Sequence, residues 1–165
     1  MNIKKGPWTV VDSKIVYKNP WILVREDKVV RPDGKIGIFG FVKMKHGISV
    51  LPIDDDENVY LTKEYHYAVE KETIEAVSGG IDENEMPLDA AYRELYEEVG
   101  LKLSDPPVAE LSEWIYYDFP ESIPDHLKKY QGQMQKWFFF FWSGNLSELN
   151  LTHHEQEFLT VRWMD

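Results

Sequence analysis

The sequence predicts an α/β protein with an N-terminal β-rich extension. Residues 1–45 are rich in Val, Ile and aromatic side chains, and turn signals interrupt them. Residues 87–99 change to a helical period, and further apolar runs follow. We therefore expect residues 1–45 to form the extension, as a small antiparallel sheet, and residues 46–165 to form the main domain.

The composition limits the class of protein. The chain has 165 residues, a length that suits one domain with an elaboration, and it contains no cysteine, which excludes disulfides and thiolate metal sites. Its net charge of −11 repels long nucleic acids and anionic membranes. No apolar run approaches the roughly 20 residues that cross a bilayer, and the first residues lack the apolar core of a signal peptide. We expect a cytoplasmic protein with no membrane partner.

Strand signals dominate before residue 87. "RPDGK" separates two apolar runs, "EDKVV" and "IGIFGFV", and this arrangement predicts a hairpin. "ISVLPI" and "NVYLTKEY" read as a second pair of strands.

Strand signals return after residue 100. "ELSEWIYYDF" predicts a strand, and "ESIPDHLKKYQG" predicts a loop with a short helix. "QKWFFFFWSG" does not alternate, which predicts a strand buried on both faces. "FLTVRWM" predicts the last strand.

The helical segment has one apolar and one acidic face. Its apolar residues follow the i, i+3, i+4, i+7 spacing of a buried stripe: Leu88, Ala91, Tyr92, Leu95 and Val99. Pro87 suits a first turn, and Gly100 suits the position after the last turn.

Three carboxylates share a separate sector of this helix, about 100° wide: Glu94, Glu97 and Glu98, which we call the glutamate ridge. A run of charges often only faces water. Here a glycine pair, Gly79-Gly80, lies just upstream, and Arg93 is placed to pair with Glu85. Clustered carboxylates provide the oxygen ligands that Mg²⁺ or Mn²⁺ needs, and a cation offsets their repulsion.

These residues resemble a known motif. Gly79, five residues, Glu85, seven residues and then "REL.EE.GL" from Arg93 to Leu101 resemble the Nudix box in full. The resemblance implies a Nudix α/β/α sandwich, in which a mixed β-sheet packs between helices. It also implies an enzyme that cleaves a nucleoside diphosphate linked to another group.

The resemblance also implies roles for residues. The glutamate ridge and the backbone carbonyl of Ser78 would ligate Mg²⁺ or Mn²⁺, while Glu85 and Arg93 would orient the loop and the helix. The general base in this family is either a box glutamate or a glutamate of a late loop. The candidates here are Glu97 and Glu98 in the box and Glu157 in the loop, with Glu155 as its close competitor.

The N-terminal half resembles ADP-ribose and nucleotide-sugar pyrophosphatases, whose β-rich extension is often exchanged between the subunits of a dimer. "KEYHYAV" and "TIEAVSGG" carry this resemblance, which makes Glu75 a candidate substrate contact and a homodimer the expected assembly. His66 and Val77 depart from the arginine and the proline of those relatives.

The C-terminal half resembles asymmetric dinucleoside tetraphosphate hydrolases and bacterial RNA 5′ pyrophosphohydrolases. "WIYYDFP" and "YQGQMQKWFFFF" carry this resemblance. It places four residues near the substrate: Tyr117, Gln133, Gln135 and Lys136.

The substrate is a small nucleotide by either resemblance. We rank ADP-ribose or a nucleotide sugar first because of the extension, and dinucleoside polyphosphates second. An RNA 5′ end comes third, since the net charge of −11 opposes a polyanion. A nucleotide-binding module that has lost catalysis is the alternative of another class, and the complete set of box acids argues against it. Trp21 and Phe39 could stack on a base, but we expect both in the core.

Overall fold

A computed structural model describes residues 2–116, 134–152 and 158–164, and it divides the chain into two compact units, Met1–Lys45 and His46–Asp165. No helix among these residues is long and apolar enough to cross a membrane.

The first unit is a four-stranded antiparallel sheet in the order β1-β2-β3-β4. Its strands are β1 (Ile3–Lys5), β2 (Trp8–Lys18), β3 (Ile22–Val30) and β4 (Ile36–Met44). The hairpin predicted at "RPDGK" joins β3 to β4, and Arg31 N–H donates to the Lys35 carbonyl at 2.8 Å. The sequence signals did not predict that strands begin as early as residue 3. The expectation that Trp21 and Phe39 are core residues is wrong, because their side chains are 65% and 42% exposed.

The second unit is built on an eight-stranded mixed sheet. The central order is β10-β11-β5-β6-β12, with β7 beside β6, β8 beside β5 and β9 beside β11. Its strands are β5 (Gly47–Ile53), β6 (Val59–His66), β7 (Lys71–Glu75), β8 (Val77–Gly80), β9 (Ala109–Glu110), β10 (Ile115–Tyr116), β11 (Met134–Phe141) and β12 (Phe158–Met164). Only β11 and β5 run parallel among the described pairs. Short 3₁₀ turns lie at Tyr67–Val69 and Leu146–Glu148.

Within the part of the chain that the structure describes, one α-helix, α1 (Pro87–Val99), packs on this sheet. Its buried face consists of Ala90, Ala91, Glu94, Leu95 and Val99. The helix has the predicted bounds, and Gly100 ends it at a φ of 71°, the left-handed conformation that glycine adopts without strain. The mixed sheet, the helix and the β-rich N-terminal region confirm the predicted fold class. The short helix predicted in "ESIPDHLKKYQG" lies outside the described residues.

Three local predictions differ from the structure. The described part of the "ELSEWIYYDF" segment contributes to two strands of two residues each, because two extra residues bulge between the points where β9 and β10 pair with β11. Strand β11 is not buried on both faces. Phe138 and Phe140 are buried against the core, whereas Phe141 is 47% exposed. The "TIEAVSGG" segment forms strands β7 and β8 rather than the loop of its relatives.

Candidate active site

The glutamate ridge is held against the sheet by the close approach of α1 to β8. Gly79 lies opposite Ile48 in the β5–β8 pair, and the adjacent Val77 and Val50 belong to the core beneath α1. A Cβ atom on Gly79 would overlap the carboxyl group of Glu94. The ridge therefore needs glycine at position 79 because Glu94 fills the space that a side chain would take.

Burial sets the electrostatics of Glu94. The residue is 8% exposed, and burial raises the pKa of its carboxyl group although hydrogen bonding to Arg93 lowers it. The net shift is upward because removal from water disfavours the charged form more than Arg93 favours it.

Arg93 connects the ridge to the loop before the helix. Its Nε and Nη2 atoms donate to the two oxygens of Glu85 at 2.8 and 2.9 Å. Nη2 also donates to the Gly80 carbonyl at 2.8 Å, and Nη1 donates to Glu94 at 2.7 Å and to Glu97 at 3.0 Å. The forked contact with Arg93 lowers the pKa of Glu85. The predicted contact between Arg93 and Glu85 is thus present, while their role in orienting the loop and the helix for metal binding stays a prediction.

The other two ridge residues are less buried than Glu94. Glu97 and Glu98 are both half-buried, and the Oε2 atom of Glu98 lies out of contact with solvent. The Ser78 hydroxyl donates to the Ala76 carbonyl and forms a hydrogen bond with the Ser49 hydroxyl, both at 2.9 Å.

The arrangement fits a divalent cation. The ridge and the carbonyl of Ser78 provide only oxygen donors, the ligand type that Mg²⁺ and Mn²⁺ prefer. Burial raises the pKa of Glu94 by disfavouring its charged form. A cation at the ridge would stabilise that charged form, so this environment favours cation binding.

The candidate substrate contacts are more dispersed. Gln135 and Lys136 are consecutive residues of β11, so their side chains point to opposite faces of the sheet. The Nζ atom of Lys136 donates to the carbonyls of Leu111 and Ser112, the latter at 2.9 Å. The amine that we expected near a phosphate therefore binds the bulge between β9 and β10.

Glu75 lies at the end of β7, half-buried and opposite Thr62, whose hydroxyl donates to the Glu75 carbonyl at 3.1 Å. Tyr117, Gln133, Glu155 and Glu157 lie outside the described residues. The hydrogen bond from Arg93 to the Gly80 carbonyl was not predicted from the sequence. The proximity of Glu64 and His66 to Glu75 was not predicted either. The spacing of Glu64 and His66 by two residues within a strand was the available signal.

Comparison with known proteins gives this site a family. The model of the NUDIX domain matches residues 43–165. The chain belongs to the Nudix family. Residues 8–42 match a second family model, the nucleoside diphosphate sugar hydrolase N-terminal domain.

Curated relatives agree with this assignment. An RNA pyrophosphohydrolase from Bartonella henselae is 36% identical over 132 residues, which cover 73% of this chain and 76% of the relative. The RNA pyrophosphohydrolase from Bartonella bacilliformis is 35% identical over 138 residues, covering 77% and 81% of the two chains. That from Agrobacterium fabrum is 48% identical over 91 residues, about half of each chain at 52% and 53%. This Nudix chain is a hydrolase that acts on phosphoanhydride bonds.

Proposed function

We propose that this Nudix hydrolase removes pyrophosphate from the 5′ end of RNA. The observation that carries the chemistry is the glutamate ridge, with Glu94 seated on Gly79 and tied to Glu85 through Arg93. The names of the relatives support RNA as the substrate, and they do so over nearly three quarters of the chain. This choice reverses the ranking from sequence, which put RNA third.

In this proposal the residues of the site have different roles. The glutamate ridge and the carbonyl of Ser78 would hold Mg²⁺ or Mn²⁺. Such an ion, when bound, neutralises phosphate charge and makes water more acidic. Glu98 then accepts a proton from the attacking water. The oxygen of that water bonds to phosphorus while the phosphoanhydride P–O bond breaks and pyrophosphate leaves. Arg93 and Glu85 keep the helix and the preceding loop in register during this step.

A nucleoside diphosphate sugar is the second candidate substrate. The match of residues 8–42 to the N-terminal domain of nucleoside diphosphate sugar hydrolases favours it. ADP-ribose, also linked through a diphosphate, belongs to the same chemical class. The chemistry of the ridge would serve either substrate, so the choice depends on residues outside the box.

A homodimer through the first unit is a further part of the proposal. Several of its apolar side chains are exposed, and they include Ile15, Ile36, Ile38 and Val42. Apolar surface of this kind is often covered in an assembly. Light scattering during gel filtration tests it, and a monomer at micromolar concentration would contradict it.

One assay tests the substrate and the site together. The rate of pyrophosphate or phosphate release is compared for 5′-triphosphate RNA, ADP-ribose, a nucleotide sugar and diadenosine tetraphosphate, with Mg²⁺ and with Mn²⁺. We expect kcat/KM to be highest for RNA, and Glu98→Gln to lower turnover by about 100-fold or more because general-base catalysis contributes 10²–10⁴-fold.

One control variant accompanies the assay. Glu72→Gln makes the same change of charge on β7 and should keep turnover near that of the wild type. A kcat/KM for a nucleotide sugar at least tenfold above that for RNA would overturn the RNA assignment, and normal activity of Glu98→Gln would overturn its role as base.

A further inference from the structure

A second group of potential metal ligands lies outside the box, on strands β6 and β7. Glu64, His66 and Glu75 each place a ligand atom so that these atoms all lie within 4.8 Å of one another. Glu64 and His66 are two residues apart in β6, so both point to one face of the sheet. Glu75 pairs with Thr62 across the strands, which puts its side chain on the same face.

Two buried polar atoms lie on that face without hydrogen bond partners among the described residues. They are Nδ1 of His66 and the hydroxyl oxygen of Thr73, the residue directly opposite Glu64. A buried polar group left without a partner destabilises the folded protein. A buried polar group without a protein partner indicates an ion or a water molecule as its partner, and imidazole is the commonest metal ligand among side chains.

We propose that Glu64, His66 and Glu75 bind one transition-metal dication of the Zn²⁺ class. One imidazole and two carboxylates form a three-ligand set with the fourth position left for water. Imidazole favours Zn²⁺ and its first-row neighbours, whereas all-oxygen sites suit Mg²⁺. In a tetrahedral zinc site the ligand atoms lie about 3.4 Å apart, so small side-chain rotations from the observed positions are sufficient.

The site differs from the glutamate ridge in ligands and in place. The ridge lies on α1, and this group joins β6 to β7. A bound ion would fix the end of β7, and β8, which carries Ser78 and Gly79, begins two residues after Glu75. The metal would thereby hold the strand that leads into the box, and it would engage the Glu75 carboxylate that resemblance assigned to the substrate.

Zinc titration by calorimetry tests this inference independently of catalysis. The titration uses the whole chain with Glu94→Gln, Glu97→Gln and Glu98→Gln, which we call the ridge variant because its ridge no longer binds metal. Mg²⁺ is present in large excess. We expect one equivalent of Zn²⁺ to bind. Loss of a supporting contact alone weakens metal sites by 10–100-fold, so His66→Gln or Glu75→Gln should weaken binding by about 100-fold or more.

Matched controls separate the site from general charge. Glu72→Gln makes the same change of charge on the other face of β7, where Glu72 forms an ion pair with Lys63. His46→Gln removes an imidazole outside the proposed site. Both should keep wild-type zinc affinity.

The absorption of bound Co²⁺ is a readout that needs no substitution at the site. In the ridge variant, bound Co²⁺ should give the absorption spectrum of a four-coordinate ion. A folded ridge variant, judged by circular dichroism, that binds no Zn²⁺ would overturn the inference. Equal zinc affinity in His66→Gln would overturn it as well.

Discussion

Gly79→Ala should separate catalysis from folding in this enzyme. A Cβ built on Gly79 lies 1.9 Å from the carboxyl carbon of Glu94, whereas carbon atoms in contact lie about 3.5 Å apart. The carboxylate must therefore retreat by about 1.5 Å. A displacement of 1 Å can cost about 100-fold in rate, so we expect kcat/KM to fall by about 100-fold or more, equivalent to roughly 2.7 kcal/mol.

The fold should tolerate this change. The colliding atoms belong to the far end of a flexible side chain, and Gly79 itself has a backbone conformation open to alanine. Overpacking in a protein interior typically costs about 1–3 kcal/mol, and we expect a value near the lower end. Phosphate release across a Mg²⁺ titration gives the activity, and urea denaturation gives the free energy of unfolding.

Two further variants make the test decisive. Gly40→Ala is the control, because a Cβ at Gly40 meets nothing within 4 Å, and both its activity and its stability should match the wild type. If Gly79 acts through Glu94, then Gly79→Ala should add little to the loss already caused by Glu94→Gln. A folded Gly79→Ala enzyme with wild-type kcat/KM would refute the reasoning, and so would full additivity with Glu94→Gln.

Two other perturbations have clear expected outcomes. Arg93→Lys keeps the charge but loses the forked guanidinium that binds both Glu85 and the Gly80 carbonyl. This variant should therefore be less stable by about 1–3 kcal/mol. An unchanged midpoint of urea denaturation would contradict this expectation. Burial raises the pKa of Tyr60 to about 12, above the value of about 10 in an unfolded chain. Stability should therefore be intact below pH 10 and fall as the pH rises from 10 to 12, by at most about 3 kcal/mol. Tyr60→Phe should make that fall shallower when unfolding is followed by fluorescence from pH 9 to 11.5, and identical slopes would exclude Tyr60 as the cause.

The helix and its acidic face could be predicted from sequence because they are local. The apolar spacing from Leu88 to Val99, with Pro87 before it and Gly100 after it, determines the bounds of α1 without knowledge of the rest of the fold. Residues three and four apart on a helix are neighbours, so the glutamate ridge followed from the same geometry. The pairing of Arg93 with Glu85 needed only a short loop to return to the helix.

Features that depend on non-local pairing were harder to predict. Strand β8 contains two glycines and would not be chosen as a strand from propensity. It forms because β5 pairs with it and because Glu94 requires the empty space at Gly79. The one-sided burial of β11 likewise depends on which face receives α1, and the run of phenylalanines does not contain that information.

The net charge of the whole chain is a weak guide to its substrate. The net charge of −11 opposes the approach of a long polyanion, since counterion effects act on every phosphate that contacts the protein. An enzyme that trims a 5′ end needs to admit only the terminal phosphates. At that point a bound cation, rather than the average charge, determines the local sign of the field. The acidic composition and an RNA substrate are therefore compatible, and the acids that contribute most at the site are those that recruit the cation.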